Sequence, residues 1–234
     1  MPKFGEPIPN WTAPAWPDET PLEGRFVRLE RLDPARHAAE LHRANSADDS
    51  IWDYMPYGSF ADAAAYRAWA DAQAAERDPW FLTIIDKTTG LPAGVASYLR
   101  ITPTQGVIEV GHICLSPALQ RTPAATEAMF LMMDWAFGAG YRRYEWKCDS
   151  LNLPSRRAAQ RYGFSYEGTF RQHVIYKGRN RDTAWFAIID RDWPELRKAY
   201  QTWLAPGNFE GNQQIRRLSE LTAPLLVARD PALA

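Results

Sequence analysis

The chain has 234 residues, 46% of them hydrophobic and 24% charged, with ten each of Trp, Tyr and Phe. That much apolar material offsets the entropy of ordering and excludes wholesale disorder, and a net charge of −1 argues against bulk electrostatic binding to nucleic acid or anionic lipid. No apolar run approaches the roughly 20 residues that span a bilayer, the first residues lack the apolar centre of a signal peptide, and two cysteines with four scattered histidines supply neither a disulfide framework nor a metal site, so a soluble protein in a reducing cytoplasm is expected.

Six prolines fall in the first 21 residues, where missing amide donors and fixed φ forbid regular structure, so residues 1–20 read as an extended arm pinned by Trp11 and Trp16. Residues 24–32 (GRFVRLERL) alternate apolar and basic positions as a strand, and Asp33-Pro34 opens a helix through His42. Residues 46–58 are irregular and rich in aromatics and acids. Phe60, Tyr66, Trp69, Ala70 and Gln73 then recur at helical spacing over residues 60–77. Strands are predicted at 80–86 and 94–101, joined by the turn signal TTGLPAG.

Residues 107–115 (VIEVGHICL) form a strand that passes through SPALQRT into a helix starting near Pro123, with Ala125, Met129, Met132 and Ala136 as its buried stripe. Residues 141–149 alternate Tyr144, Trp146 and Cys148 with Arg143, Glu145 and Lys147, a strand with two differently solvated faces. Asn152 and Gly163 cap a short helix, and residues 164–173 and 182–190 form a closing antiparallel pair. Asp192 and Glu195 have capping-box spacing ahead of a helix carrying Trp193, Leu196, Tyr200 and Trp203, and a polar tail follows. This order predicts an α/β (α+β) mixed sheet with helices on both faces, one core over residues 21–190 and a helical extension over 191–234.

The loop feeding the helix at Pro123 is a ready anion site, because a helix N-terminus exposes unpaired amides and a partial positive charge. Ala124 and Ala125 are small enough for close ligand approach. Residues 142–181 carry ten Lys/Arg against three acids, consistent either with a polyanionic ligand or with a solvated basic face.

VIEVGHICL, QRTPAAT, EAMFLMMDWAF, YRRYEWKCDSLN, NLPSRRAAQRYGF and EGTFRQHVIYKGRNRDTAWFAIID, in that order, resemble the Gcn5-related N-acetyltransferases (GNAT), and within them the branch containing the ribosomal-protein N-terminal acetyltransferases. The resemblance spans about residues 21–190. It implies a strongly twisted sheet whose central strands splay apart, with acetyl-coenzyme A as co-substrate in the opening and no metal. The family's Q/R-x-x-G-x-G/A phosphate loop falls on Gln120, Arg121, Thr122, Pro123, Ala124 and Ala125, followed by Thr126, with Leu115 at the end of the splayed strand. Pro123 departs from the pattern and removes one amide donor, while Thr122 stands where an N-cap belongs.

Asn152 matches an asparagine that contacts the pantetheine, and Arg156, with Arg157 and Arg161, is placed to meet the 3′-phosphate. Many relatives have a tyrosine acid where this chain has Ala159; the ribosomal-protein branch uses a serine at the position of Ser155, which makes Ser155 the candidate donor to the leaving thiolate. Plain helix capping is the other reading of Asn152 and Ser155. The base is left open among Glu109, His173 and water, and strand alternation puts Glu109 and His112 on opposite faces. Trp52, Tyr54 and Tyr57, with His112, are expected to wall the acceptor pocket, and Asp48, Asp49 and Asp53 to attract an ammonium; a hydrophobic clamp fixing the loop is the other reading. The expected acceptor is a protein N-terminus, an amino acid or a small amine. The rival readings are a non-catalytic acyl-coenzyme A-binding or regulatory module and an RNA-binding protein. The arm and the extension are expected to cover the core or build a homodimer.

Overall fold

In the computed structural model, which describes residues 4–211 and 213–233, the alternating segments form one eight-stranded sheet. Its strands are β1 (Leu22–Glu23), β2 (Val27–Arg31), β3 (Trp80–Asp86), β4 (Leu91–Thr102), β5 (Val107–Leu115), β6 (Arg143–Asp149), β7 (Ser165–Tyr176) and β8 (Arg179–Ile189). They lie in the order β1-β2-β3-β4-β5-β6-β8-β7, antiparallel throughout except for the parallel pair β5–β6. The sheet is therefore mixed, as expected.

Helices α1 (Pro34–Asn45) and α2 (Ala63–Ala75) cover one face, over a core that includes Leu41, Tyr66, Phe81, Val95 and Cys114. On the other face lie α3 (Pro123–Gly138), α4 (Leu153–Arg161) and α5 (Trp193–Leu204), over the larger core of Tyr98, Met129, Met132, Tyr144, Phe164 and Tyr200. The predicted α3 stripe is buried along its whole length, and so are Trp193, Leu196, Tyr200 and Trp203 of α5.

One local reading needs correction. Asp192 already has helical backbone angles and its side chain makes no cap, so α5 begins without a capping box. On the charged face of β6 the Lys147 and Glu145 side chains are 7% and 9% exposed, Lys147 bonding Glu145 and also Glu109 of β5. The closing hairpin is also longer than expected, running to the Lys177-Gly178 turn.

The arm over residues 4–20 has no regular structure and is anchored by its tryptophans. Trp11 donates to the Thr104 carbonyl, Trp16 stacks under Arg77, and the Ala15 carbonyl accepts from Tyr141. After α5 the chain forms the small hairpin β9 (Phe209–Glu210) and β10 (Gln213–Gln214) and the helix α6 (Leu218–Thr222). The tail then runs back along α4 and β7: Asp230 pairs with Arg156, and Val227 and Ala228 bond Ser165 and Tyr166.

The second turn of α3 is tied to the start of β2 by one buried carboxylate. Glu127 accepts from the amides of Arg25, Phe26 and Val27 at 2.8, 2.6 and 2.9 Å. Gly24 makes room for it, since a Cβ there would lie 2.3 Å from Glu127 Oε2. Hydrogen bonds to a charged acceptor contribute about 1.5–3 kcal/mol each, part of it lost to solvent competition at this edge. Glu127→Ala is expected to lower the unfolding free energy by about 3 kcal/mol in urea denaturation, with Glu127→Gln recovering part; an unchanged midpoint would refute the clamp.

Candidate active site

The site begins where the sheet comes apart. β5 and β6 pair in parallel from Val107 opposite Arg143 to Val110 opposite Trp146, and then stop, although β5 continues to Leu115 and β6 to Asp149. Each strand remains bonded on its outer side, β5 to β4 and β6 to β8, which leaves the inner edges facing a gap. Buried backbone groups need partners, so a fork of this kind is suited to a ligand that itself carries amides.

One side of the fork leads to the loop before α3. Thr122 is the N-cap: its Oγ1 accepts from the Ala125 amide at 3.1 Å and donates to the Leu119 carbonyl at 2.6 Å. Gln120 donates Nε2 to the Leu115 carbonyl at 3.0 Å, fastening the loop to the end of β5. Arg121 has φ 61°, and the amides of Arg121 and Ala124 have no intramolecular acceptor among the described residues. Ala124, Ala125 and Thr126 turn their side chains inward and are buried, so only their backbone can meet a ligand. The loop therefore fits a phosphate through two free amides and a helix N-terminus, with Pro123 contributing no donor.

Across the fork, Asn152 caps α4, its Oδ1 accepting from the Ser155 amide at 3.0 Å. Trp146 Nε1 donates to Ser155 Oγ at 3.0 Å. An indole N–H can only donate, so Ser155 must accept here and its own O–H is a donor, with the Cys148 sulfur as one acceptor within reach. Cys148 lies beside it, and burial pushes that thiol up to about 11, which leaves it protonated and unreactive at neutral pH. Arg156 does not face the opening. Its Nε and Nη2 each bond Asp230 at 2.6 Å and its Nη1 bonds the Ser150 carbonyl, so the expected phosphate contact is replaced by a buried ion pair with the tail.

On the α1/α2 face the strand alternation breaks. His112 has φ 49° and sits where the β4–β5 register shifts, and the bulge turns its ring to the same face as Glu109. Parity alone placed it on the opposite one. Its ring stacks on Tyr57 at 5.5 Å and 8°, with Nδ1 3.0 Å from the Tyr57 hydroxyl, and contacts Phe81. Tyr57, Phe60 and Trp69 form the half-buried wall. Trp52 lies beneath them, 5% exposed and pressed against Gly58, so it is a clamp for the loop and not an open wall. Tyr54 bridges the loop to the Leu151 carbonyl at 3.2 Å, next to Asn152. Phe60 and Trp69 were legible only as helix-period apolar positions, which does not distinguish a pocket from a core.

Glu109 is enclosed by cations. Arg100 Nη1 lies 2.7 Å from both of its oxygens and Lys147 Nζ 2.8 Å from Oε2. Lys147 also bonds Glu145 at 2.7 Å and sits 3.8 Å over the Trp185 ring, and Arg143 joins Glu145 to Glu167. Nothing local in the sequence pointed to Arg100 or Lys147 as partners of Glu109. His173 is exposed on β7, with Nδ1 3.0 Å from Thr183 Oγ1. Two strand spacings separate β7 from β6, roughly 10 Å, so His173 stands on the rim of the fork and not in it.

A family model described as an acetyltransferase (GNAT) domain matches residues 27–165. Among solved structures, a GCN5-related N-acetyltransferase from Brucella melitensis is 46% identical, covering 92% of this chain and 100% of its own, with a TM-score of 0.90. A probable GNAT-family acetyltransferase from Chromobacterium violaceum ATCC 12472 is 40% identical over 83% of this chain and 98% of its own, with a TM-score of 0.78. RimL, a ribosomal L7/L12 alpha-N-protein acetyltransferase, shares the fold at 20% identity and a TM-score of 0.63, over 73% of this chain and 94% of its own. Among curated proteins, none matches this chain in sequence.

Burial, reinforced by the Arg100 charge, lowers His112 to about 4, so the imidazole is neutral at physiological pH. Folding then excludes a proton that the unfolded chain binds below about 6.5. The stabilisation this represents is complete above that pH and is lost as pH falls toward 4, by about 3 kcal/mol at most. Urea titrations from pH 7 to 4 should therefore show a shallower decline for His112→Asn than for the wild type; parallel curves would refute the assignment.

Proposed function

The chain belongs to the GNAT acetyltransferase family and is an N-acetyltransferase, and from that premise we propose that it acetylates a primary amine, either a protein N-terminus, an amino acid or a small amine, by direct attack of the amine on acetyl-coenzyme A. The single observation carrying this reading is the parting of β5 and β6 beyond Val110 and Trp146, with a loop that offers unpaired amides at one end and a serine hydroxyl able to donate at the other.

Acetyl-coenzyme A supplies the acetyl group as an activated thioester. The amides of Arg121 and Ala124, at the positive end of α3, receive the pyrophosphate. The inner edge of β5 beyond the bulge presents backbone donors to the acyl carbonyl, where preorganised dipoles stabilise developing negative charge without reorganisation. Ser155, held in the accepting orientation by Trp146, donates its O–H toward the coenzyme sulfur as the thiol departs.

The amine approaches from the Tyr57/Phe60/Trp69 wall, with the exposed acids Asp48, Asp49 and Asp53 on the loop before it. Its proton passes to water. Both Glu109 oxygens are engaged by Arg100 and Lys147, so protonating Glu109 would break a buried ion pair, and His173 is too far out to act without a bridging solvent molecule. A neutral His112 with a protonated Tyr57 beside it fixes the wall and adds no charge, burial holding the phenol well above its ordinary range.

Release of free thiol from acetyl-coenzyme A over a panel of primary amines tests the reading; turnover with no member of the panel would overturn it. Ser155→Ala is expected to lower kcat about 10²-fold with a small change in KM for acetyl-coenzyme A, and Ser155→Thr to restore part of the rate. Pro123→Gly restores one amide donor, a hydrogen bond contributing about 1 kcal/mol, and should tighten coenzyme binding about fivefold by calorimetry. Unchanged or weaker binding would show that the loop does not hold the pyrophosphate in this way.

A further inference from the structure

Three segments meet at the mouth of the fork on the acceptor side: the loop 46–58, the end of β6 and the turn of the β7–β8 hairpin. Hydrogen bonds join them. Lys177 Nζ donates to the Trp52 carbonyl at 3.0 Å, Tyr54 to the Leu151 carbonyl at 3.2 Å, and Tyr176 to Asp149 Oδ2 at 3.0 Å.

Arg181 of β8 lies beside these bonds, its guanidinium 5.6 Å from the centre of the Tyr176 ring. No described residue of β8 has a positive φ, so alternation puts Arg181 on the face of Thr183 and Trp185, where Trp185 meets Lys147. The side chain is half-buried and its Nε is buried without a partner. Its Nη nitrogens keep contact with solvent and have no protein acceptor among the described residues. Nor does Arg181 make an ion pair among them, whereas Arg143, Lys147 and Arg156 do. Two carboxylates stand close by in the fold, and both are bonded to other groups. Asp149 accepts from the Leu151 amide and the Tyr176 hydroxyl, and Asp182 from the Gln172 amide and the Asn180 side chain.

A guanidinium stays charged at every physiological pH, and drawing it partly out of water without an acceptor is costly unless a ligand supplies one. A carboxylate fits, because its two oxygens accept in parallel from the fork of Nη nitrogens. The same mouth carries the exposed acids Asp48, Asp49 and Asp53, which favour an ammonium. A plain alkylamine is drawn by those acids and repelled by Arg181. An amine that also bears a carboxylate is complementary to both. The cation is also near the reacting end of the fork: burial raises the Cys148 thiol to about 11, and the Arg181 charge opposes that rise, with Cys148 beside Ser155.

We propose that Arg181 binds a carboxylate of the acceptor, so that the substrate is an amine carrying its own acid group close by. A free amino acid and a peptide beginning with Asp or Glu both present that chemistry. The assignment deepens the acetyltransferase reading above and rests on it.

Thiol release from acetyl-coenzyme A with matched amines tests it, each rate referred to the neutral amine present. One series sets α-amino acids against their α-carboxamides, and the other sets dipeptide amides beginning with Asp against those beginning with Asn. The wild type should favour the acid about tenfold in kcat/KM in one of the two series, the scale of one charge-assisted contact. A preference in the first series identifies a free amino acid as the source, and in the second a peptide. Arg181→Gln should bring the acid-to-amide ratio to about one by raising KM for the acid, and Arg181→Lys should recover part of the preference. In both variants KM for acetyl-coenzyme A should stay within about twofold, and the melting temperature checks the fold.

If the wild type turns over acid and amide alike in both series, or if Arg181→Gln keeps the preference, this inference fails and the acetyltransferase reading stands. A raised KM for acetyl-coenzyme A with none for the acceptor would assign Arg181 to the coenzyme and also overturn it. Turnover with no amine at all would remove both.

Discussion

The parting of β5 from β6 is the constraint on which the rest of the molecule depends. A parallel pair bonded along its whole length would leave no space between strands, and here the ladder ends after Val110 and Trp146. Several features keep the strands apart. The bulge at His112 re-aims β5, Gln120 occupies the Leu115 carbonyl at the far end, and Trp146 bonds Ser155 on α4 in place of anything on β5. At the base of the fork Lys147 bonds both Glu109 and Glu145, tying the strands together one residue past their last backbone pair. The opening is thus held at its apex by charge and shaped at its mouth by side-chain hydrogen bonds.

Charge is distributed unequally between the two sides of that fork. On the Tyr57 side Arg100, Lys147 and Arg143 are matched by Glu109, Glu145 and Glu167 and His112 is neutral, while the exposed acids Asp48, Asp49 and Asp53 stand on the loop before the aromatic wall. On the other side Arg121, Arg161 and Arg217 stand without ion-pair partners among the described residues. Such a division favours an anion at one end and an amine at the other.

The two ends of the chain bear on the site in different ways. The N-terminal arm is fastened by Trp11, Ala15 and Trp16 to residues away from the fork. The C-terminal segment grips α4, through Asp230 on Arg156 and through Thr222 on the Arg161 carbonyl, and so helps to position the helix that carries Ser155. Breaking the buried Arg156–Asp230 pair would leave an uncompensated charge beneath that helix, a large cost in a low-dielectric setting.

Much of the framework was legible in the amino-acid order. Strands at 80–86 and 107–115, the stripe of α3, the Thr122 cap and the Asn152 cap all follow from periodicity and short-range hydrogen bonding, which act over a few residues and leave a local pattern. The face of His112 was not legible, because a single bulge inverts side-chain parity and is set by the partner strand. Nor was the engagement of Arg156, whose partner lies 74 residues away, or the encirclement of Glu109 by Arg100 and Lys147. By itself the sequence determined which segments are strands and helices and where a loop could meet an anion. Only the tertiary structure decided which charges are neutralised and which remain available, because a buried ion's partner is chosen by proximity in space, and proximity across strands is not written in the spacing of either residue.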